Sequence, residues 1–264
     1  MYVKAGRRSY WIEDDGKGTP LLFLHGFTGT GKTFDSIIKL FPDSLRTITI
    51  DMPGHGKTGE IGPVTMEQFS KDLALLLDEL NLSKVHLLGY SMGGRAGLTF
   101  AMLYPDYIDT VILESASPGL QTTEQQLARQ AKDQTFIDQL QKKGVESFVE
   151  DWEQLPLFKT QQNLSQTSRQ LIKEERLSHT AQGLSQSLKG MGTGQQPSWW
   201  SRLTELEKRI LLITGSKDEK FVELNKEMDA LLPYSTYIEV KGAGHTVHLE
   251  EPKVFAKIVE EFVI

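Results

Sequence analysis

Four short apolar runs, each of strand length and apolar on both faces, constrain this chain most strongly. They are Leu21–His25, Leu45–Asp51, Val85–Tyr90 and Val111–Glu114. A run that does not alternate with polar residues suits a strand buried on both sides of a parallel sheet. Helical stretches lie between these runs. Thr65–Leu80 places Leu73, Leu76, Leu77 and Leu80 at helical spacing, with Asp72, Asp78 and Glu79 elsewhere on its surface. Strands alternating with helices predict an α/β fold: a mostly parallel central sheet with helices on both faces.

The texture changes after Pro118-Gly119. Residues 120–206 are rich in Gln, Ser and charge, and β-branched runs vanish. Leu127–Leu140 and Leu171–Leu188 carry helical spacing. Strand character returns at Arg209–Gly215 and Tyr237–Val240, and Pro252–Phe262 forms a closing amphipathic helix. The reading is one core built from residues 1–119 and 207–264, interrupted by an inserted helical cap over 120–206. The 264 residues suffice for such a domain.

Composition narrows the chemistry. The formal charge is −6, which argues against a nucleic-acid partner, since phosphates call for a basic face. There is no cysteine, so disulfides and thiolate metal sites are excluded. The opening Met1-Tyr2-Val3-Lys4 lacks a signal-peptide pattern, and no apolar run approaches the ~18 residues of a membrane span. The expectation is a cytoplasmic protein with no membrane partner.

Gly89-Tyr90-Ser91-Met92-Gly93 follows the strand Val85–Leu88 and opens the helical segment Gly94–Leu103. This is G-x-S-x-G in the strand–turn–helix setting the motif needs. The serine sits on a tight turn where flanking side chains would collide with backbone, so its hydroxyl is pushed out at the sheet edge. The helix N-terminus behind it offers free N–H groups. An incidental serine in a Gly-rich turn is the plain alternative.

His245, in Gly242-Ala243-Gly244-His245-Thr246 after a strand, is the candidate base, because imidazole exchanges a proton near neutrality. His248 is the local rival, with a surface or capping role expected. Asp218, in Gly215-Ser216-Lys217-Asp218, is the candidate acid that fixes the imidazole tautomer. Glu114 is the alternative acid, and helix capping the plain role for Asp218. His25-Gly26-Phe27 follows the first apolar run, so the N–H groups of Phe27 and Met92 are the expected oxyanion donors. No metal and no cofactor is expected.

With Ser, Asp and His in that order, the chain resembles the α/β-hydrolase superfamily over its whole length. Within it the chain resembles the 2-succinyl-6-hydroxy-2,4-cyclohexadiene-1-carboxylate synthases of menaquinone biosynthesis. The likeness rests on Gly89-Tyr90-Ser91-Met92-Gly93-Gly94-Arg95, Asp151-Trp152 with Pro156-Leu157-Phe158, Gly190-Met191-Gly192-Thr193-Gly194-Gln195, and Asp218-Glu219-Lys220-Phe221. It implies a lyase that expels pyruvate from a small anionic substrate. It also implies substrate contacts at Arg95, Arg129, Arg176, Tyr90, Trp152 and His25.

Arg95 supports that reading on its own. It lies four residues after Ser91, hence on the same helix face. A guanidinium stays charged, and burying it unpaired is costly, so an anionic ligand or an internal Asp or Glu must answer it. A hydrolase of an ester, lactone or carbon–carbon bond is the main competing class, and a non-enzymatic hydrolase-fold receptor is another. Gly26 followed by Gly31-Lys32-Thr33 also fits a phosphate-loop pattern, with Asp51 as a conceivable metal ligand. The triad assignment uses the same loop for another purpose.

Overall fold

The computed structural model describes residues 1–264. Eight strands form one sheet in the order β1-β2-β4-β3-β5-β6-β7-β8. They are β1 Tyr2–Ala5, β2 Arg8–Asp15, β3 Thr19–Leu24, β4 Leu45–Ile50, β5 Val85–Tyr90, β6 Ile108–Glu114, β7 Arg209–Gly215 and β8 Ser235–Val240. The pairs from β4 to β8 are parallel, while β1 and β2 form an antiparallel hairpin that pairs antiparallel to β4. That hairpin carries no continuous apolar run, which is why the pattern of buried parallel strands passes over it.

The helices are α1 Asp35–Ile38, α2 Met66–Glu79, α3 Met92–Leu103, α4 Thr123–Glu153, α5 Gln166–Leu177, α6 Ala181–Met191, α7 Glu219–Leu231, α8 Val247–Glu250 and α9 Pro252–Val263. None is long and apolar enough to cross a membrane. Adjacent residues of one strand feed opposite faces of the sheet. Leu22 and Leu24 join Leu87, Leu113 and Leu212 in a layer closed by Phe69, Leu73 and Phe100 of α2 and α3. Leu21 and Phe23 join Leu88, Ile112 and Ile213 in a layer closed by Phe34, Ile37 and Phe255. A strand buried on both faces has no room for polar alternation, hence the runs in the sequence.

Between β6 and β7 the chain is helical, with no strand. Helix α4 holds a non-helical break at Gly144 (φ 81°, ψ 178°). The continuous helix expected over Leu171–Leu188 is two helices instead. Ser178 ends α5, and Thr180 caps α6 by accepting the Gly183 N–H at 3.0 Å. A local hydroxyl cap competes with helix continuation and overrides the apolar spacing.

Candidate active site

The strand ends of β3, β5, β6 and β7 and the loop after β8 meet beneath the helical insertion. Ser91 occupies the turn from β5 to α3 with φ 50° and ψ −106°, a backbone that side chains rarely adopt. The positions two residues to either side must be glycine: a Cβ on Gly89 would run into the Gly93 carbonyl, and one on Gly93 into the Leu24 carbonyl. The strained turn lifts the hydroxyl clear of the sheet, and His245 Nε2 lies 3.1 Å from Ser91 Oγ. His245 Nδ1–H donates to Asp218 Oδ2 at 2.6 Å. Asp218 takes the N-cap position of α7 but makes no side-chain cap bond, so its carboxylate is free for the imidazole. All three expected residues converge, and His245 and Asp218 are buried.

The N–H groups of Phe27 and Met92 donate to no acceptor in the surrounding turns, loops or side chains. Met92 opens α3, whose N-terminus carries partial positive charge. Such an arrangement can move a proton through Ser91 and His245 while stabilising an oxyanion.

A cavity of about 200 Å³ opens over Ser91. Tyr90, Trp152, Arg95 and Arg129 line it. Trp152 packs in an aromatic cage with Phe27, Phe136, Phe148 and Phe158, and its buried indole Nε1 has no partner. Arg95 is buried and makes no ion pair. Its Nη1 donates to Met191 O at 2.9 Å and Gln196 Oε1 at 3.4 Å. Burial, and then the positive charge of Arg129, pull its pKa down to about 9, so it stays cationic at neutral pH. No carboxylate reaches Arg95 as an ion-pair partner, and Asp133 acts on it only as a nearby charge. Arg129 Nε donates to Asp133 Oδ1 at 2.7 Å, which leaves part of its guanidinium to the cavity.

Three residues lie elsewhere than the sequence suggests. Arg176 does not line this cavity. Its Nη1 donates to Glu153 and its Nη2 to Gln161, both at 3.0 Å, and it stacks on the Phe158 ring at 4.8 Å. It faces a separate cavity of about 580 Å³, because nearby acceptors capture it first. His25 is fully buried and points away. Its Nε2 accepts the Met52 N–H at 2.9 Å and its Nδ1–H donates to Gly26 O at 2.7 Å. Burial pulls its pKa down to about 4. His248, expected at the surface or as a cap, is fully buried against Glu114, with Nδ1 2.7 Å from Oε2. Glu114 is therefore committed to His248.

The phosphate-loop pattern has a different use. Thr30 N and Oγ1 and Thr33 Oγ1 all donate to the carboxylate of Glu175 on α5, at 2.6–3.0 Å. Gly31 N donates to Asp51 Oδ1 at 2.8 Å. The loop's donors hold the protein's own carboxylates, one of them from the helical insertion.

Two site residues went unassigned in the sequence. Lys220 lines the cavity, and burial, followed by Arg129, lowers its pKa. Its place two residues after Asp218 was the available signal. Glu250 accepts from Gly244 N at 2.8 Å and from the hydroxyls of Thr246 and Thr160 at 3.0 Å, folding the loop around His245. Its sequence neighbours carry no motif that singles it out.

The α/β hydrolase fold family model matches residues 19–252. The chain belongs to the α/β hydrolase fold family. Within that family it is 43% identical over 261 residues to a Bacillus subtilis protein named as a candidate 2-succinyl-6-hydroxy-2,4-cyclohexadiene-1-carboxylate synthase, covering 96% of this chain and 94% of the relative. It is 28% identical over 245 residues to the synthase of that name from Serratia proteamaculans, covering 92% of each. The solved structure of MenH from S. aureus superposes with a TM-score of 0.92 at 35% identity, covering 96% of this chain and 97% of that one. This α/β hydrolase thus shares at least 92% of its length with these proteins.

Proposed function

We propose that this protein is a carbon–oxygen lyase that removes pyruvate from 2-succinyl-5-enolpyruvyl-6-hydroxy-3-cyclohexene-1-carboxylate, giving 2-succinyl-6-hydroxy-2,4-cyclohexadiene-1-carboxylate. The observation that carries the proposal is the buried Arg95 guanidinium with no carboxylate partner, one helical turn from Ser91. An unpaired buried cation is costly, and an anionic substrate relieves that cost. A pocket for a neutral ester has no use for it. Arg129 and Lys220 add positive charge on the same cavity wall.

The reaction needs a base more than a covalent nucleophile. Ser91, activated by His245 and oriented by Asp218, takes the proton from the ring carbon beside the succinyl ketone. Negative charge develops on the ketone oxygen, toward which the Phe27 and Met92 N–H groups are available. The C–H electrons form a ring double bond, the existing double bond shifts by one position, and the carbon–oxygen bond to the enolpyruvyl group breaks. The leaving enolate gains a proton and becomes pyruvate. Arg95 and Arg129 hold carboxylates so that the C–H faces the serine. Helices α4 to α6 act as a cap that excludes water.

A serine hydrolase is the second reading. The strained Ser91, its 3.1 Å approach to His245 and the two open N–H groups equally suit acyl transfer. The deciding experiment supplies the enolpyruvyl substrate and follows pyruvate with lactate dehydrogenase. Release of one pyruvate per substrate supports the lyase. No pyruvate, together with turnover of a neutral aryl ester, supports the hydrolase.

A further inference from the structure

The pair Glu114–His248 takes no part in the chemistry above and does not line the cavity. Both side chains are fully buried. Yet Glu114 touches both halves of the site. Its backbone carbonyl accepts the Ser91 N–H at 2.9 Å. Its carboxylate accepts the His248 backbone N–H at 3.0 Å and the ring Nδ1–H at 2.9 and 2.7 Å. His248 lies three residues beyond His245, so the residue holding the nucleophile's backbone also holds the segment carrying the base. Tyr90 fills the space between, its ring centroid 5.5 Å from His245 and 4.8 Å from His248.

We infer that the buried Glu114–His248 pair positions His245 against Ser91. Stability alone gives little reason for such a pair, because well-packed apolar residues replace buried polar pairs with little loss. The tie is incomplete as well, since His248 Nε2 is buried without a partner. What the pair does supply is a fixed separation. Strand β6 is locked between β5 and β7, whereas the loop before His248 runs through Gly242 (φ 85°) and Gly244. Glu250 shapes that loop locally, and Glu114 anchors it to the end of β6, whose last carbonyl accepts the Ser91 N–H.

This inference relies on the lyase reading for its turnover assay only. Alignment of Ser91 and His245 is read separately, as the rate at which a fluorophosphonate modifies Ser91, with Ser91→Ala as the blank. Two variants are compared with the wild type: Glu114→Gln, and the paired apolar replacement Glu114→Met with His248→Leu. At least one is expected to fold, with fluorophosphonate reactivity and kcat both down about 10- to 100-fold, as a displacement near 1 Å would give. KM stays within about threefold, since neither residue meets substrate. Wild-type reactivity in a folded variant overturns the inference. So does a failure of both variants to fold, because the pair would then hold up the whole domain. A reactivity loss in a protein whose wild type releases no pyruvate keeps the positioning role and removes the lyase.

Discussion

The backbone N–H of Arg95 donates to the carbonyl of Ser91 at 3.0 Å, so the reactive hydroxyl and the buried cation share one turn of α3. Their separation is set by helix geometry, which leaves little freedom for either to move alone.

Replacing Arg95 therefore separates stability from activity. Arg95→Met removes a desolvated charge and keeps the volume, so thermal unfolding moves upward or stays put. Pyruvate release falls about 10- to 100-fold in kcat/KM, the value of a charge-assisted hydrogen bond of ~1.5–3 kcal/mol. Neutral aryl-ester turnover changes far less. Loss of ester turnover with intact pyruvate release contradicts this assignment.

Asp218→Asn keeps the shape of the site but offers His245 the wrong hydrogen-bond pattern. The 2.6 Å bond then favours the tautomer that cannot accept from Ser91. Pyruvate release drops by about two to four orders of magnitude in kcat, as for the same change in triad enzymes. The fold is retained, as circular dichroism will report.

Acid should loosen the joint beneath the helical insertion. His25, His55 and His179 pack edge-to-face in series with ring centroids 5.0 Å apart, and each accepts a backbone N–H from Met52, Thr28 or Gly56. Burial lowers the pKa of all three, to about 4 for His25. Between that value and about 6.5 the unfolded chain binds protons that the folded chain refuses, so stability falls as pH falls. For His25 alone that loss reaches about 3 kcal/mol once the pH has fallen to its folded value. Urea unfolding at pH 7 and pH 5 measures the loss, and equal midpoints contradict it.

Glu175 fastens α5 to the loop after β3. Burial raises its pKa, although its bonds to Thr30 and Thr33 pull the other way. Glu175→Ala leaves two largely buried threonine hydroxyls without that acceptor, at a cost of about 1–3 kcal/mol. Amide hydrogen exchange should accelerate across residues 166–177 and stay unchanged in β5 and β6. Uniform acceleration, or none, rejects the latch.

The parallel sheet was legible because strands buried on both faces lack polar alternation, and Ser91 and Asp218 because each sits in a short turn directly after such a strand; His245 follows the part-exposed edge strand β8 and was marked by its glycine-rich loop. Those signals are local, so the linear chain contains them. Tertiary structure decided where long polar side chains went. Arg129 and Arg176 look alike along the sequence, but Glu153 and Gln161 draw Arg176 behind Phe158 while Arg129 reaches the cavity. The sequence around His248 suggests a surface or capping role because Glu114, its buried partner, lies 134 positions away. The glycine–lysine–threonine loop resembled a phosphate cradle until Glu175, from another element, filled it. A charged side chain goes to the partner that compensates its desolvation, and folding alone chooses that partner.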